Sequence, residues 1–387
     1  MPALSTTTPH AGVKEWFTSA CENPTLRSAF LFGTYSHMRM QSVLASGGDF
    51  RSSDVALIRV CEADAISKIN QAIQDPAQAL SDEVVLSVMC LAKNPPGKSS
   101  TREGKCSSFR APLRSLQWLD VYAPMSCNPV HQSGLAQIVH LKGGLENIKL
   151  PGVAAIISFT SIIDATKSLS RPHFPFISLQ PGETKALHDI VHGYREIAHG
   201  DDILWTAVVW QMREVFQGLR VFGRIIQQYA YDGTLRVNEH TLCDYRNLLQ
   251  WHLRRVIVRI YPIYEACRLA LMTSGAGVTF PLPPEDAPMD RLVERLKIEV
   301  EAYKGIIPSK TPATLRFNYW CLFSGGMASQ AGEQRSWFTA ELKACSILHG
   351  VQKWTEVKTM LESILWIECA CEEAGKQFWR YAMDMNS

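Results

Sequence analysis

An all-α fold, a large multi-helix array in two lobes, is predicted by three features of this sequence. Apolar residues recur at three- and four-residue spacing over long segments. No alternating run is long enough to build a sheet, and no repeat of fixed period is visible. The breaks in the helical pattern hold Ser, Asn, Pro and Gly, the residues that start and stop helices.

An N-terminal segment over 1–50 precedes the helical body. Over 54–74, Leu57, Cys61, Ala65, Ile69 and Ile73 step by four residues and predict one apolar stripe, capped by Ser53 or Asp54. Ser81 and Asp82 cap the next helix, which runs through EVVLSVMCLA to the break at Asn94, Pro95 and Pro96. Residues 94–129 are rich in Pro, Ser and charge around one apolar island, LRSLQWLDVYAP, and predict a long excursion that docks once. Helical patterns resume over 131–141, 153–168 and 184–199, and again from 202. A long one follows over 238–272, where the interior Pro262 predicts a kink because proline lacks a backbone donor. The first lobe is thus expected over 51–272. TSGAGVTFPLPPEDAP, residues 273–288, reads as the linker. Helices near 289–304, 312–330, 334–349 and 353–382 then form a C-terminal lobe over 289–387, packed on the first.

With 46% hydrophobic and 20% charged residues among 387, the chain has the composition of a globular protein with a sizeable core. Its 39 Lys and Arg against 37 Asp and Glu are spread out rather than blocked, which argues against direct nucleic-acid binding. Arg254, Arg255 and Arg259 are the nearest to a basic cluster, and a solvated or ion-paired helix face is expected there. MPALSTTTPHAGVKEWF lacks the apolar stretch of a secretory signal, and GVAAIISFTSIID is too short to span a bilayer, so a soluble intracellular protein with no membrane contact is expected. Eleven cysteines without a CxxC read as reduced core thiols. Cys369 and Cys371 diverge around a helix, so no cysteine zinc site is expected.

HDIVHGYREIAHG, residues 188–200, tests a catalytic reading. His188 and His192 have the four-residue spacing of a zincin helix, but Asp189 replaces its glutamate and falls one methylene short of a bound water. His199 lies seven residues past His192, roughly 10 Å along a helix, too far for one ion unless the chain turns. Histidines on the polar side of an amphipathic helix are the better account. FSGGMASQAG, residues 323–332, has neither a nucleophile elbow nor a phosphate loop, and its glycines suit a close helix crossing or a tight turn. No catalytic residue, metal or cofactor is expected, and the chain reads as a non-enzyme.

Several phrases, in order, resemble one family. SDEVVLSVMCLA at 81–92 precedes LQWLDVYAPMSCNPVHQSGLAQIVHLKGGLENI at 116–148, with His131, Gly134, Leu135, Lys142, Gly143, Gly144 and Leu145. IISFTSIIDATKSLSRPHFPF adds Asp164, Pro172, Phe174 and Pro175. The C-terminal phrase FNYWCLFSGGMASQAGEQRSWFTAELKACSILHGVQKWTEVKTMLESILW adds Trp320, Gly325, Trp337, Phe338, Trp354, Leu361 and Trp366. Together these resemble the regulatory region of fungal zinc-cluster transcription factors over roughly residues 55–382. Read physically, Gly143 and Gly144 supply a left-handed C-cap and a reversal into the next helix near Leu150 and Pro151. His131 is placed to cap its helix or to join a buried hydrogen bond, and Asp164, in an apolar helix, must find a donor or face solvent.

The resemblance implies a nuclear, transcription-regulator-like protein, with the cytoplasm as the alternative location. Family members normally begin with six cysteines that bind two zinc ions and present a helix to DNA. No such cluster occurs in this chain, which points to a stand-alone version or to a gene whose first exon is missing. Action would then run through protein partners, a full-length zinc-cluster relative or a second copy of itself, or through a small-molecule effector. The alternatives are a ligand-binding helical scaffold with no transcriptional role and, more distantly, a metal-dependent hydrolase built on HDIVH.

Overall fold

Ser81 accepts a hydrogen bond from Val84 N at 3.2 Å and so starts the helix Asp82–Ala92, whose first turn holds Asp82 and Glu83. Every residue from Val84 to Ala92 is buried, and a helix buried on all sides belongs at a centre. The computed structural model describes residues 11–46, 52–94, 107–179, 210–235, 237–256, 261–305 and 311–384. The fold is all-α, with fifteen α-helices among the described residues.

The first half contains α1 Ala11–Glu22, α2 Pro24–Ser46, α3 Ser52–Gln74, α4 Asp82–Ala92, the single turn α5 Leu119–Tyr122, α6 Pro129–Leu141 and α7 Val153–Ser168. There follow α8 Trp210–Asp232, α9 Glu239–Arg255 and α10 Pro262–Ser274. The chain continues as α11 Met289–Lys304, α12 Pro312–Ala328, α13 Glu333–His349, α14 Trp354–Ile364 and α15 Glu368–Asp384. The only strands among the described residues are β1 Lys93–Asn94 and β2 Ser126–Cys127, an antiparallel pair with Lys93 opposite Cys127.

Two centres organise these helices. α4 is packed by α2, α3 and α6, while α12 is packed by α10, α11, α13, α14 and α15. From Phe317 to Met327, α12 is buried throughout. α8 and the excursion tie the halves together: Arg220 Nε donates to Ile364 O at 2.6 Å, and Arg110 N donates to Ala370 O at 3.0 Å. One contiguous buried apolar cluster runs from Trp16 to Ala382.

Three expectations are corrected. Steps of four residues advance roughly 400° around a helix of 3.6 residues per turn, so the predicted stripe drifts off the core. Ala65 and Ile69 at the middle of the stripe are buried, but Leu57 and Ile73 at its ends stay 41% and 43% exposed, and Ile58 and Ala72 complete the buried face in their place. Pro262 does not kink a long helix. It opens α10, where a missing N–H costs nothing, and α9 ends at Arg255. Residues 273–288 are no open linker, because Gly275–Thr279 form one wide π-turn closed by Phe280 N donating to Gly275 O at 2.8 Å, and Val278, Phe280 and Leu282 are buried.

Gly325 and Gly326 lie inside α12, where a Cβ would overlap the rings of Phe338 on α13 and Phe378 on α15. They therefore mark a close helix crossing rather than a loop. Gly326→Val is expected to cost about 1–3 kcal/mol by overpacking. A denaturant-unfolding midpoint unchanged from the parent would refute that contact.

Candidate functional site

The family-like phrases first resolve into a set of helix ties. Asn128, rather than His131, caps α6: its Oδ1 accepts from Val130 N at 3.1 Å and His131 N at 3.4 Å. The half-buried His131 imidazole is held below its ordinary pKa by burial, against the pull of Glu62. Leu135 is buried, whereas Gly134 faces open space. Gly143 and Gly144 have φ of 89° and 113°, and Gly144 N reaches back to Val139 O at 2.9 Å, closing α6.

Asp82 then straps this turn to the start of α4. Its Oδ2 accepts from Lys149 N and Leu150 N, both at 2.6 Å, and its Oδ1 lies 2.8 Å from Lys142 Nζ. Asp164 finds donors in Lys93 and in Gln132 Nε2 at 3.0 Å. Lys93 Nζ also donates to Cys127 Sγ at 3.2 Å, so this knot joins β1, β2, α6 and α7. Burial alone would lower the Lys93 pKa, but the neighbouring Asp164 and Cys127 outweigh it and raise it. Burial pushes the Cys127 thiol up.

Trp337 and Trp366 stand apart from this knot, around the second centre. Trp337 meets Phe338 edge-on at 4.8 Å and carries Lys297 Nζ over its ring. Trp366 lies 6.1 Å from Trp354, and both crowd Gly375, where a Cβ would come within 2.7 Å of Trp366. His188, Asp189, His192, His199 and Arg259 lie outside the described residues. Among the described residues no three His, Cys, Asp or Glu side chains gather as a metal site.

A second knot holds the excursion. Gln117 and Trp118 adopt left-handed backbone, with φ of 57° and 55°, a conformation that costs non-glycine residues on the order of 1–3 kcal/mol. Arg246, 2% exposed, stabilises it by donating to Leu116 O at 2.7 Å and Gln117 Oε1 at 2.9 Å, while Asn247 Nδ2 donates to the same Oε1 at 2.8 Å. The Arg246 guanidinium lies over Phe159 and Phe280, and burial lowers its pKa to about 10. Beside Trp118, at 5.0 Å from its ring, His37 shares a hydrogen bond of 2.7 Å between its Nδ1 and Tyr122 Oη.

Where the excursion, the π-turn and α11 to α13 meet, a cleft of about 540 Å³ opens. Gly277 leaves the space that the Phe109 ring fills in one wall. Leu282, Met289 and Ala331 supply apolar lining, with Asp290 and Arg335 as its charged members. Arg335 donates to Ser329 O at 3.0 Å and packs on Phe378 and Tyr381, which fixes its guanidinium at the end of α12. Its volume lies within the range of small-molecule sites, while its lining is more polar than is usual for them. No single sequence motif marked this cleft, since its walls come from five separate stretches.

No protein-family model matches the chain, no curated protein matches it, and no solved structure matches it.

Two outcomes follow from the knots. Asp164→Ala leaves the Lys93 ammonium buried without its counter-ion and should cost about 3–5 kcal/mol, whereas the double change Lys93→Met with Asp164→Leu should cost much less. Denaturant midpoints of the two variants give the comparison; equal losses would show that the pair is not the operative tie. Burial lowers the His37 pKa from 6.5 to about 4. A base whose folded-state pKa lies below its unfolded value stabilises the fold above the unfolded value. That stability is lost as pH falls from 6.5 toward 4, and His37→Gln should flatten the stability-against-pH curve in that window.

Proposed function

We propose that this chain is a transcription-regulator-like receiver, as its resemblance to the regulatory region of fungal zinc-cluster transcription factors implies. It works in the nucleus through protein contacts, with a zinc-cluster relative or a second copy of itself, and it makes no direct contact with nucleic acid. The cleft between the excursion, the π-turn and α11 to α13 accepts its small-molecule effector. One observation supports a receiver over an enzyme: the side chains best suited to chemistry, Lys93, Asp164, Cys127 and Arg246, are engaged in fixed ties between helices, while the cleft mixes apolar and polar walls with Asp290 and Arg335 as its charged members. Among the described residues no helix is long and apolar enough to cross a membrane.

The same cleft supports a second reading, a ligand-binding scaffold without a transcriptional role. Tethering the full chain to a heterologous DNA-binding module separates the two. A receiver changes reporter output severalfold, and Ala331→Trp, which places a bulky ring at the exposed lip of the cleft, alters that response while leaving the fold intact. A tethered chain that leaves the reporter unchanged and stays outside the nucleus would sink the regulatory reading.

A further inference from the structure

At the seam of α9, α10 and α11, the structure gathers arginines around too little negative charge. Arg254, 4% exposed, donates through Nε and Nη2 to Ser170 O at 2.9 and 2.7 Å. Arg268, 9% exposed, grips Glu265 with two hydrogen bonds of 2.7 and 2.5 Å. Arg295 Nη2 reaches the same carboxylate at 2.8 Å. Two guanidiniums thus share the Glu265 carboxylate, and the third, Arg254, has only a backbone carbonyl and a thioether as acceptors among its hydrogen bonds. Arg291 and Glu299 stand beside the cluster and balance each other, so the excess stays at two positive charges among the described residues. The other ion pair at this seam, Lys167 with Asp286 at 2.9 Å, is self-contained.

The remaining donors show what is missing. Arg254 Nη1 and Arg268 Nη1 both point at Met272 Sδ, at 3.3 and 3.0 Å. A thioether is a weak acceptor, and two buried guanidiniums on one sulfur repel each other. Burial, with Arg268 and Arg295 nearby, lowers the Arg254 pKa to about 9, which still leaves it charged at neutral pH. A buried charge excess of this kind is costly unless an anion offsets it. The cluster is also reachable, because the Arg295 side chain is 42% exposed and Arg291, one turn earlier on α11, is exposed.

We propose that Arg254, Arg268 and Arg295 form a site for a small oxyanion, a carboxylate or phosphate group, with Arg291 at its mouth. Planar guanidiniums match both groups bidentately, and Glu265 already displays that recognition within the chain. The site is separate from the cleft, and its failure would leave the receiver reading intact.

The test is thermal unfolding of the full chain, titrated with inorganic phosphate or with succinate against chloride at matched ionic strength. A saturable rise in melting temperature is expected with at least one of them. Phosphate alone would assign a phosphoryl ligand, and succinate alone a carboxylate. Arg295→Gln, at the partly exposed rim, should weaken the apparent affinity about tenfold, the loss of one charge-assisted contact. Arg254→Gln should abolish the effect; if that variant does not fold, Arg295→Gln decides. Neither anion exceeding chloride, or an undiminished response in Arg295→Gln, would overturn the proposal.

Discussion

Helices buried on every side have no water within reach, so each polar atom they carry into the interior must meet a partner from another element. That constraint shapes the whole molecule. Among the described residues α4, α7 and α12 are the most enclosed helices, and the Asp82 strap and the Lys93–Asp164 knot are built on α4, α7 and the strand beside α4. α7 shows it most fully. Ser161 Oγ accepts from His173 N at 2.8 Å and Ser158 Oγ accepts from Ile177 N at 3.2 Å, which stitches down the chain that follows the helix, while Asp164 pairs with Lys93 from the chain before it. Two backbone donors of the RPHFPF stretch, His173 N and Phe174 N, are claimed by the Ser161 hydroxyl of α7.

Much of the fold was legible because its determinants are local. The Ser81 cap, the double-glycine reversal and the helical spacing each depend on residues within one turn of one another. The four-residue stripe over 54–74 misled for an equally local reason: a helix turns slightly more than one full circle in four steps, so Leu57 and Ile73 rotate into solvent. Pro262 is ambiguous in sequence, since a proline that kinks a helix and one that opens a helix look alike until the preceding turn is seen.

The sites were less legible because their partners are far apart along the chain. Asp164 was expected to need a donor, yet nothing local points to Lys93, 71 residues away. Arg254, Arg255 and Arg259 read as a solvated or ion-paired helix face, but the structure separates the first two: Arg255 lies over Trp251 at 4.4 Å in the open, while Arg254 is buried against Ser170. Nor does any pattern in residues 107–118 announce that Gln117 and Trp118 are held left-handed by Arg246 and Asn247. Strain of this kind becomes visible only when the structure that pays for it is in place.

α11 connects the two regions where a ligand is proposed. Its first turn gives Met289 and Asp290 to the cleft, and its next residues give Arg291 and Arg295 to the arginine cluster. The segment leading into it is fixed at both ends, by the π-turn that closes on Gly275 and by the Asp286 carboxylate on Lys167. α11 also packs along α10 and α12, so it cannot move alone without disturbing a buried apolar face. Interiors at this packing density shift as units rather than bending locally. Met289, Asp290, Arg291 and Arg295 therefore ride on one element whose position is fixed by its packing on α10 and α12.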